Sequence, residues 1–390
     1  MKILILTFYY QPDLSAGSFR MTAFVEQLSQ MLGPEDSIEV ITTMPNRYHT
    51  YEQEAQAVER KGNVLIRRIQ LPPHQNGMVD QSKSFVSFAL GTLKIVDREH
   101  YDLVLATSGR LFTAFLGALV KRKVGAKLYL DLRDIFADTI KNVLKNPLIK
   151  TLHPVLRLVE SFTVKSANKV NLVSEGFSEY FREVSSKQVY SFYTNGIDSE
   201  FLEQDYTKKE KTEKKIILYA GNIGEGQGLE KIIPSSAKKL EATHEFWVIG
   251  DGGTKNKLQN EIENNQLNNV KLLSPIPRDQ LVVKYAECDY LFLHLNDYDA
   301  FKKVLPSKLF EYAATGKPIL AGVGGYARKF VNENIEGAQV FSPCDSEDFI
   351  QKLKGLSGNQ YPREKFLHSF NRLNIVTQMA KDFLALSEGS

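Results

Sequence analysis

The segment VLPSKLFEYAATGKPIL at residues 304–320 gathers a hydroxyl, a cation and a carboxylate within about one helical turn. Pro306 suits the opening of a helix, and Thr315-Gly316 ahead of Pro318 suits its end. Ser307, Lys308 and Glu311 are then carried on one short helix. Its first amides, the positive end of its dipole and the Lys308 ammonium would converge where an anion such as a diphosphate is stabilised. Glu311 comes four residues after Ser307, on the same face one turn deeper, about 6 Å along the axis. A carboxylate there suits two hydrogen bonds from a ribose. The plainer alternative is a capped amphipathic helix with Lys308 and Glu311 solvated.

Three loops have the small residues a bulky anion needs. YAGNIGEGQGL at 219–229 has glycine at 221, 224, 226 and 228, so the main chain can approach a ligand closely. Its glycine spacing misses the dinucleotide fingerprint, because the last glycine follows Gly226 by two positions rather than three. A nicotinamide oxidoreductase is therefore disfavoured. VIGDGG at 248–253 is a similar turn, with Asp251 in a structural role. YYQPDLSAGSFR at 9–20 places Ser15, Ala16 and Gly17 ahead of a helix, with Arg20 nearby; a plain strand-to-helix turn accounts for it equally.

Other residues compete for attention. Asp297 and Asp299 form an Asp-x-Asp pair that suits a divalent ion chemically. The pattern is short, it falls in a polar loop, and metal-independent activity is the expectation. No two histidines have metal-ligand or triad spacing, and His294 lies in a strand, where packing is its expected role. The hydroxyls of Tyr9 or Tyr10 could touch a sugar or simply pack.

The elements that must position these residues are legible as short apolar runs alternating with helical periods. In the first half, strands are expected near 2–8, 38–42, 64–70, 102–106, 126–131, 169–173 and 189–192. Helices are expected near 18–32, 83–98, 110–123, 154–167 and 176–183. The polar stretch 199–215 reads as an exposed linker. A second series comes after it, with strands near 216–220, 245–250, 270–273, 289–295, 318–321 and 338–341. Its helices fall near 228–241, 254–265, 279–286, 307–315, 326–333 and 345–355, and a last helical stretch covers 362–387. The fold class is α/β, two doubly wound Rossmann-like domains facing a central crevice, with ligands at the carboxyl ends of the strands.

Composition bounds the rest. With 390 residues, 43% hydrophobic and 24% charged, the chain suits two cores. Cys288 and Cys344 make no disulfide framework or zinc site, which points to a reducing compartment. No apolar run reaches the ~20 residues of a spanning helix, and the N-terminal run reads as a strand rather than a leader. A net charge of +3 gives no case for nucleic acid. Yet Lys141, Lys145, Lys150, Arg157, Lys165 and Lys169 face one acid, Glu160, in their stretch. Interleaved with apolar residues, they suit a helix on an anionic leaflet, or a solvated face over a core.

These segments together resemble the retaining glycosyltransferases of family four, which have the GT-B fold, and within them the subgroup like WbuB. The resemblance runs through YYQPDLSAG, DLRDIFADT at 131–139, NLVSEGFSEYF at 171–181, TNGID at 194–198, the two glycine loops, CDYLFLHL and PSKLFEYAATGKPIL. It implies that Glu311 holds the nucleotide ribose and that amides at the preceding turn contact the diphosphate. The implied donor set is Gly17, Arg20, Asn222, Gln227, Gly228, Asp251, Ile276, Leu305, Ser307, Lys308 and Glu311, with Lys308, Arg133 and Asp134 at the reacting centre. Lys303 stands where the family usually has a glutamate, Asn222 and Gln227 where relatives have an arginine and a lysine, and Arg133 where a histidine is frequent. Lys308, with Arg20, is expected to supply the missing charge.

The activity that the resemblance implies is a metal-independent, retaining transfer from a UDP-sugar to a polyprenyl-diphosphate-linked saccharide in bacterial O-antigen or capsule synthesis. N-acetyl-L-fucosamine is the sugar it implies. Charge on the departing phosphate is stabilised by amides and a cation, and that phosphate itself can take the acceptor's proton. Asp134 and Arg133 either orient the acceptor or donor ring, or join Asp131 and Asp138 in a capping cluster. No cofactor is expected. Residues 1–200 would bind the acceptor, with a helix at about 370–390 packing back on them, and residues 201–369 the donor. The basic residues Lys141, Lys145, Lys150 and Arg157 would seat the protein peripherally on the cytoplasmic face of the membrane. A sugar-nucleotide 2-epimerase of the same architecture, or a non-enzymatic nucleotide-sugar scaffold, are the other readings.

Overall fold

The computed structural model describes residues 1–45, 54–72, 78–108, 111–135, 147–208, 212–358 and 360–388. The chain divides into two units, Met1–Asn195 with Leu373–Ser390, and Gly196–Arg372.

In the first unit, β1 (Lys2–Leu6) is followed by α1 (Ala16–Met31), β2 (Ser37–Thr43), β3 (Val58–Lys61), β4 (Val64–Ile69) and α2 (Met78–Ile95). Then come β5 (Leu103–Thr107), α3 (Leu111–Val124), β6 (Lys127–Leu132), α4 (Pro147–Ser166), β7 (Lys169–Leu172), α5 (Ser178–Val184) and β8 (Tyr190–Ser191). The sheet order is β3-β4-β2-β1-β5-β6-β7-β8, parallel except for β3 against β4. Ile3, Leu4, Ile5 and Leu6 are all buried, as expected of a parallel strand covered on both faces. β3 escapes the sequence pattern because its residues, VERK, are largely exposed at the sheet edge, where no apolar run is needed. α4 begins at Pro147 rather than near 154, with Pro154 inside it.

The second unit starts with α6 (Ser199–Leu202) and β9 (Lys215–Ala220), then α7 (Leu229–Lys239), β10 (His244–Ile249), α8 (Lys255–Asn264), β11 (Val270–Leu273), α9 (Arg278–Glu287) and β12 (Tyr290–His294). It continues through α10 (Lys308–Ala314), β13 (Ile319–Gly322), α11 (Gly325–Asn334), β14 (Ala338–Phe341), α12 (Ser346–Lys354) and α13 (Glu364–Ser369). Its sheet is parallel, in the order β11-β10-β9-β12-β13-β14. Strand order reverses at β9, so β10 and β12 leave its two sides and their end loops flank its own, a switch point of the doubly wound kind.

Two expectations change. The stretch 199–215 is not simply a linker: Phe201 and Tyr206 are buried in the core of the second unit, which begins at Gly196. The last helical stretch is two helices, α13 and α14 (Arg372–Glu388), because the chain pairs Asn371 with Ile197 between them. Val376, Met379, Ala380 and Phe383 of α14 pack against the β1 side of the first sheet.

Candidate functional site

In the second unit, α10 sits at the carboxyl end of the sheet. Ser307 precedes it with helical backbone angles and no side-chain cap, so capping is left to other groups. Gly316 ends the segment at φ +70°, a conformation that only glycine enters freely. Lys308 is part-exposed, whereas Glu311 is 5% exposed. The Lys308 Nζ lies 2.8 Å from Glu311 Oε2, and the Tyr285 hydroxyl donates to the same oxygen at 3.3 Å. The solvated reading thus fails for Glu311: its carboxylate is inside, and Lys308 is its cation. A buried carboxylate with an addressable, part-exposed cation can exchange that cation for ligand hydroxyls.

The glycine loops lie beside this pair. A Cβ on Gly221 would stand 3.7 Å from Lys308 Cε. On Gly250 it would stand 1.9 Å from the Gly221 carbonyl oxygen, and on Gly252 2.4 Å from that of Ile223, so the two loops touch backbone to backbone. Ile223 N–H donates to the Asp251 carbonyl, and the Asp251 carboxylate accepts from the Gly252 N–H. Asp251 thereby braces its own turn. Asn222 donates to Gln227 across the loop at 2.8 Å, and Gly228 opens α7 at φ +55°. Leu305 is in the core, and Ile276 packs against it from the loop after β11.

The residues that hold this loop were not found from sequence. His294 ends β12; its Nδ1–H donates to the Gln227 carbonyl at 2.5 Å, and Nε2 accepts from the Cys344 N–H at 2.8 Å. Those partners fix a neutral ring, and burial pushes its pKa down to about 4. Asn296 donates to the Glu225 carbonyl and accepts from Lys231, while Tyr298 donates to the Glu225 carboxylate. Polar residues just past a buried strand were the available signal. Asp297 and Asp299 belong to this cover: they are 63% and 87% exposed and share Lys302.

In the first unit, Arg20 corrects its expected role. It is fully buried, its Nε and Nη2 each 2.9 Å from an oxygen of Asp131, and it donates to the carbonyls of Tyr193 and Thr194. Asn171 donates to the same Asp131. All three guanidinium nitrogens are thus engaged inside the fold, and the side chain is fully buried, so the pair is structural and not exposed to a diphosphate. Arg133 instead lies over the start of α1, where a Cβ on Gly17 would stand 2.1 Å from its Nη1. Ser15 caps that helix through the Ser18 N–H. A guanidinium at a helix N-terminus makes a positive corner. Asp134 beside it keeps a solvent-facing edge, while surrounding protein desolvates the carboxyl and pushes it up to about 6, against the pull of Arg133. Asp131 is thus tied to Arg20 rather than free to join Asp134; Asp138 lies outside the described residues.

Of the basic membrane set, Lys141 and Lys145 also lie outside the described residues, and Lys150 is in the first turn of α4. Arg157 places its guanidinium 5.5 Å from the Tyr180 ring centre, and the neighbouring Leu158 is 69% exposed. Among the described residues no helix is long and apolar enough to cross a membrane.

The family profile described as Glycosyl transferases group 1 matches residues 201–369. A colanic acid biosynthesis glycosyl transferase, by name WcaI of Escherichia coli, is 36% identical over 177 residues, 43% of this chain and 43% of that protein. A glycosyltransferase by name, WbjE of Pseudomonas aeruginosa, is 24% identical over 234 residues, 56% of this chain and 57% of the relative. The matches span about half the length of each of these two relatives. The crystal structure of Anabaena HepE in complex with UDP and glucose superposes with a TM-score of 0.71 at 14% identity, covering 99% of this chain and 100% of HepE. The chain therefore has the GT-B fold, two Rossmann-like α/β domains, and its residues 201–369 match the Glycosyl transferases group 1 profile.

Proposed function

We propose that the protein is a retaining, metal-independent glycosyltransferase that moves a sugar from a UDP-sugar to a polyprenyl-diphosphate-linked saccharide in bacterial surface-polysaccharide synthesis. The observation that carries the reading is the Lys308–Glu311 pair beside the Gly221 turn. On donor binding, Lys308 moves to the diphosphate and Glu311 accepts the two ribose hydroxyls. The bond from the sugar's anomeric carbon to the β-phosphate oxygen breaks, with Lys308 and the amides near Ser307 stabilising the charge that develops there. An acceptor hydroxyl oxygen bonds to the same carbon on the same face, and its proton passes to the departing phosphate. Arg133 and Asp134 orient the acceptor or the donor ring.

The HepE complex, with UDP and glucose, supports a uridine donor, and the name of the colanic acid biosynthesis relative supports polysaccharide synthesis. N-acetyl-L-fucosamine is the first donor sugar to try, on the strength of the WbuB-like motifs. The exposed Leu158 beside Arg157 supports peripheral seating on an anionic cytoplasmic leaflet, where the acceptor resides. Incubation with a panel of UDP-sugars and a lipid-linked monosaccharide should release UDP only when donor and acceptor are both present. Release without acceptor would favour a hydrolase, conversion to an epimeric UDP-sugar without release an epimerase, and binding without turnover a scaffold.

A further inference from the structure

Behind Glu311 in the second unit stands a second cation, the Arg278 guanidinium. Arg278 opens α9 with Nη1 2.6 Å from Glu200 and Nη2 against Asp198, and its plane lies 4.8 Å from the centre of the Phe201 ring. Asp198 is itself held by Arg372, whose Nη2 also donates to the Gly196 carbonyl. From this anchored position Nη2 lies 3.9 Å from Glu311 Oε1, the oxygen opposite the one that takes Lys308.

We propose that Arg278 is a positioning residue for the donor site, the fixed countercharge that holds the Glu311 carboxylate in place while Lys308 serves the phosphates. The inference rests on the donor reading of Glu311 given above. Glu311 is almost fully buried, so once Lys308 leaves for a ligand, Tyr285 and the incoming hydroxyls are neutral partners and Arg278 is the one cation near its charge among the described residues. A stranded buried carboxylate is strongly unfavourable. Lys308 stands on a flexible, part-exposed stem and is able to move. Arg278, clamped by two carboxylates and an aromatic face, cannot follow it. The two cations thus divide the work: one travels, one stays.

The test is a double-mutant cycle on the purified full chain, with UDP-sugar KM and kcat measured for Arg278→Gln, Arg278→Lys, Glu311→Gln and Arg278→Gln/Glu311→Gln. Loss of the countercharge should raise the donor KM about tenfold with kcat within about twofold. Arg278→Lys, which keeps the charge, should recover most of that change. In the Glu311→Gln background the neutral amide needs no countercharge, so Arg278→Gln should add nothing further. Equal effects of Arg278→Gln in both backgrounds, or a fall in kcat that Lys does not rescue, would overturn the proposal and leave Arg278 as scaffolding. A Glu311→Gln enzyme with wild-type donor KM would instead remove the donor reading itself, and this inference with it.

Discussion

Arg20 with Asp131 in the first unit, and Lys308 with Glu311 in the second, are both cation–carboxylate pairs beside a loop that follows a parallel strand. In the first, both side chains are fully buried, the guanidinium is bidentate, and two main-chain carbonyls and Asn171 complete the set. In the second, the carboxylate is buried but its cation is part-exposed and held by one oxygen. The same residue types therefore do opposite work. A buried, multiply bonded pair ties strands and helices together, since all three guanidinium nitrogens and both carboxylate oxygens are engaged inside the fold. An unsaturated pair with one mobile partner is a place where a ligand can enter by substitution.

Mutation should separate the two most sharply. Glu311→Ala and Lys308→Ala should each reduce transfer by on the order of 100-fold, about 3 kcal/mol, while the folded protein persists in circular dichroism. Arg20→Ala should do the reverse in kind: it strands Asp131 in the core and removes about 3–5 kcal/mol of stability, seen as a lower denaturant midpoint. Donor affinity of the fraction that remains folded should be unchanged. An Arg20→Ala protein of full stability but weakened UDP binding would restore the expected donor role and erase the contrast.

The sequence made the difference hard to see for a physical reason. Arg20 sits one turn into α1, close to a glycine-containing loop, and nothing in spacing tells whether a side chain points to solvent or to the sheet. Its partner is 111 positions away, a separation that only the folded sheet closes. Glu311 was legible because its partners are local: Lys308 is three residues off and Pro306 and Gly316 bracket the helix. The strands of both sheets were legible for the same reason, as apolar runs that a parallel sheet buries on both faces. β3, the break at Phe370–Asn371, and the hold of His294 and Asn296 on the glycine loop were not, because each depends on what lies across the fold rather than along the chain.

Asp134 sharpens the comparison from a third side, as a carboxylate with no tight ion pair among the described residues. Its carboxyl is pushed up to about 6 by desolvation from an ordinary value of 3.8. For an acid raised in this way, the contribution to folding stability is fully present below the ordinary value and is lost as pH rises from about 4 through 6. Activity runs the other way if the charged form orients substrate: kcat/KM should fall about tenfold per unit as pH drops below 6. Asp134→Asn should abolish that acid limb. A limb that survives the substitution would place the titrating group elsewhere.

The smallest expected effect concerns Asp297 and Asp299. A divalent ion needs several oxygens converging at about 2–2.6 Å and prefers carboxylates that no cation already occupies. Here both carboxylates are exposed and turned to Lys302, which lies 2.7 Å from Asp299 and 4.0 Å from Asp297. Among the described residues no third His, Cys, Asp or Glu joins them in a metal-binding group. The neighbouring side chains of Asn296 and Tyr298 are engaged with the glycine loop, through Glu225. The segment covers that loop, and in the proposed reaction the charge at the diphosphate is met by Lys308. Excess EDTA should change turnover by less than about twofold, well within the effect of removing that lysine. A loss restored by Mg²⁺ or Mn²⁺, and abolished by Asp297→Asn, would move the phosphate's countercharge from the lysine to a metal.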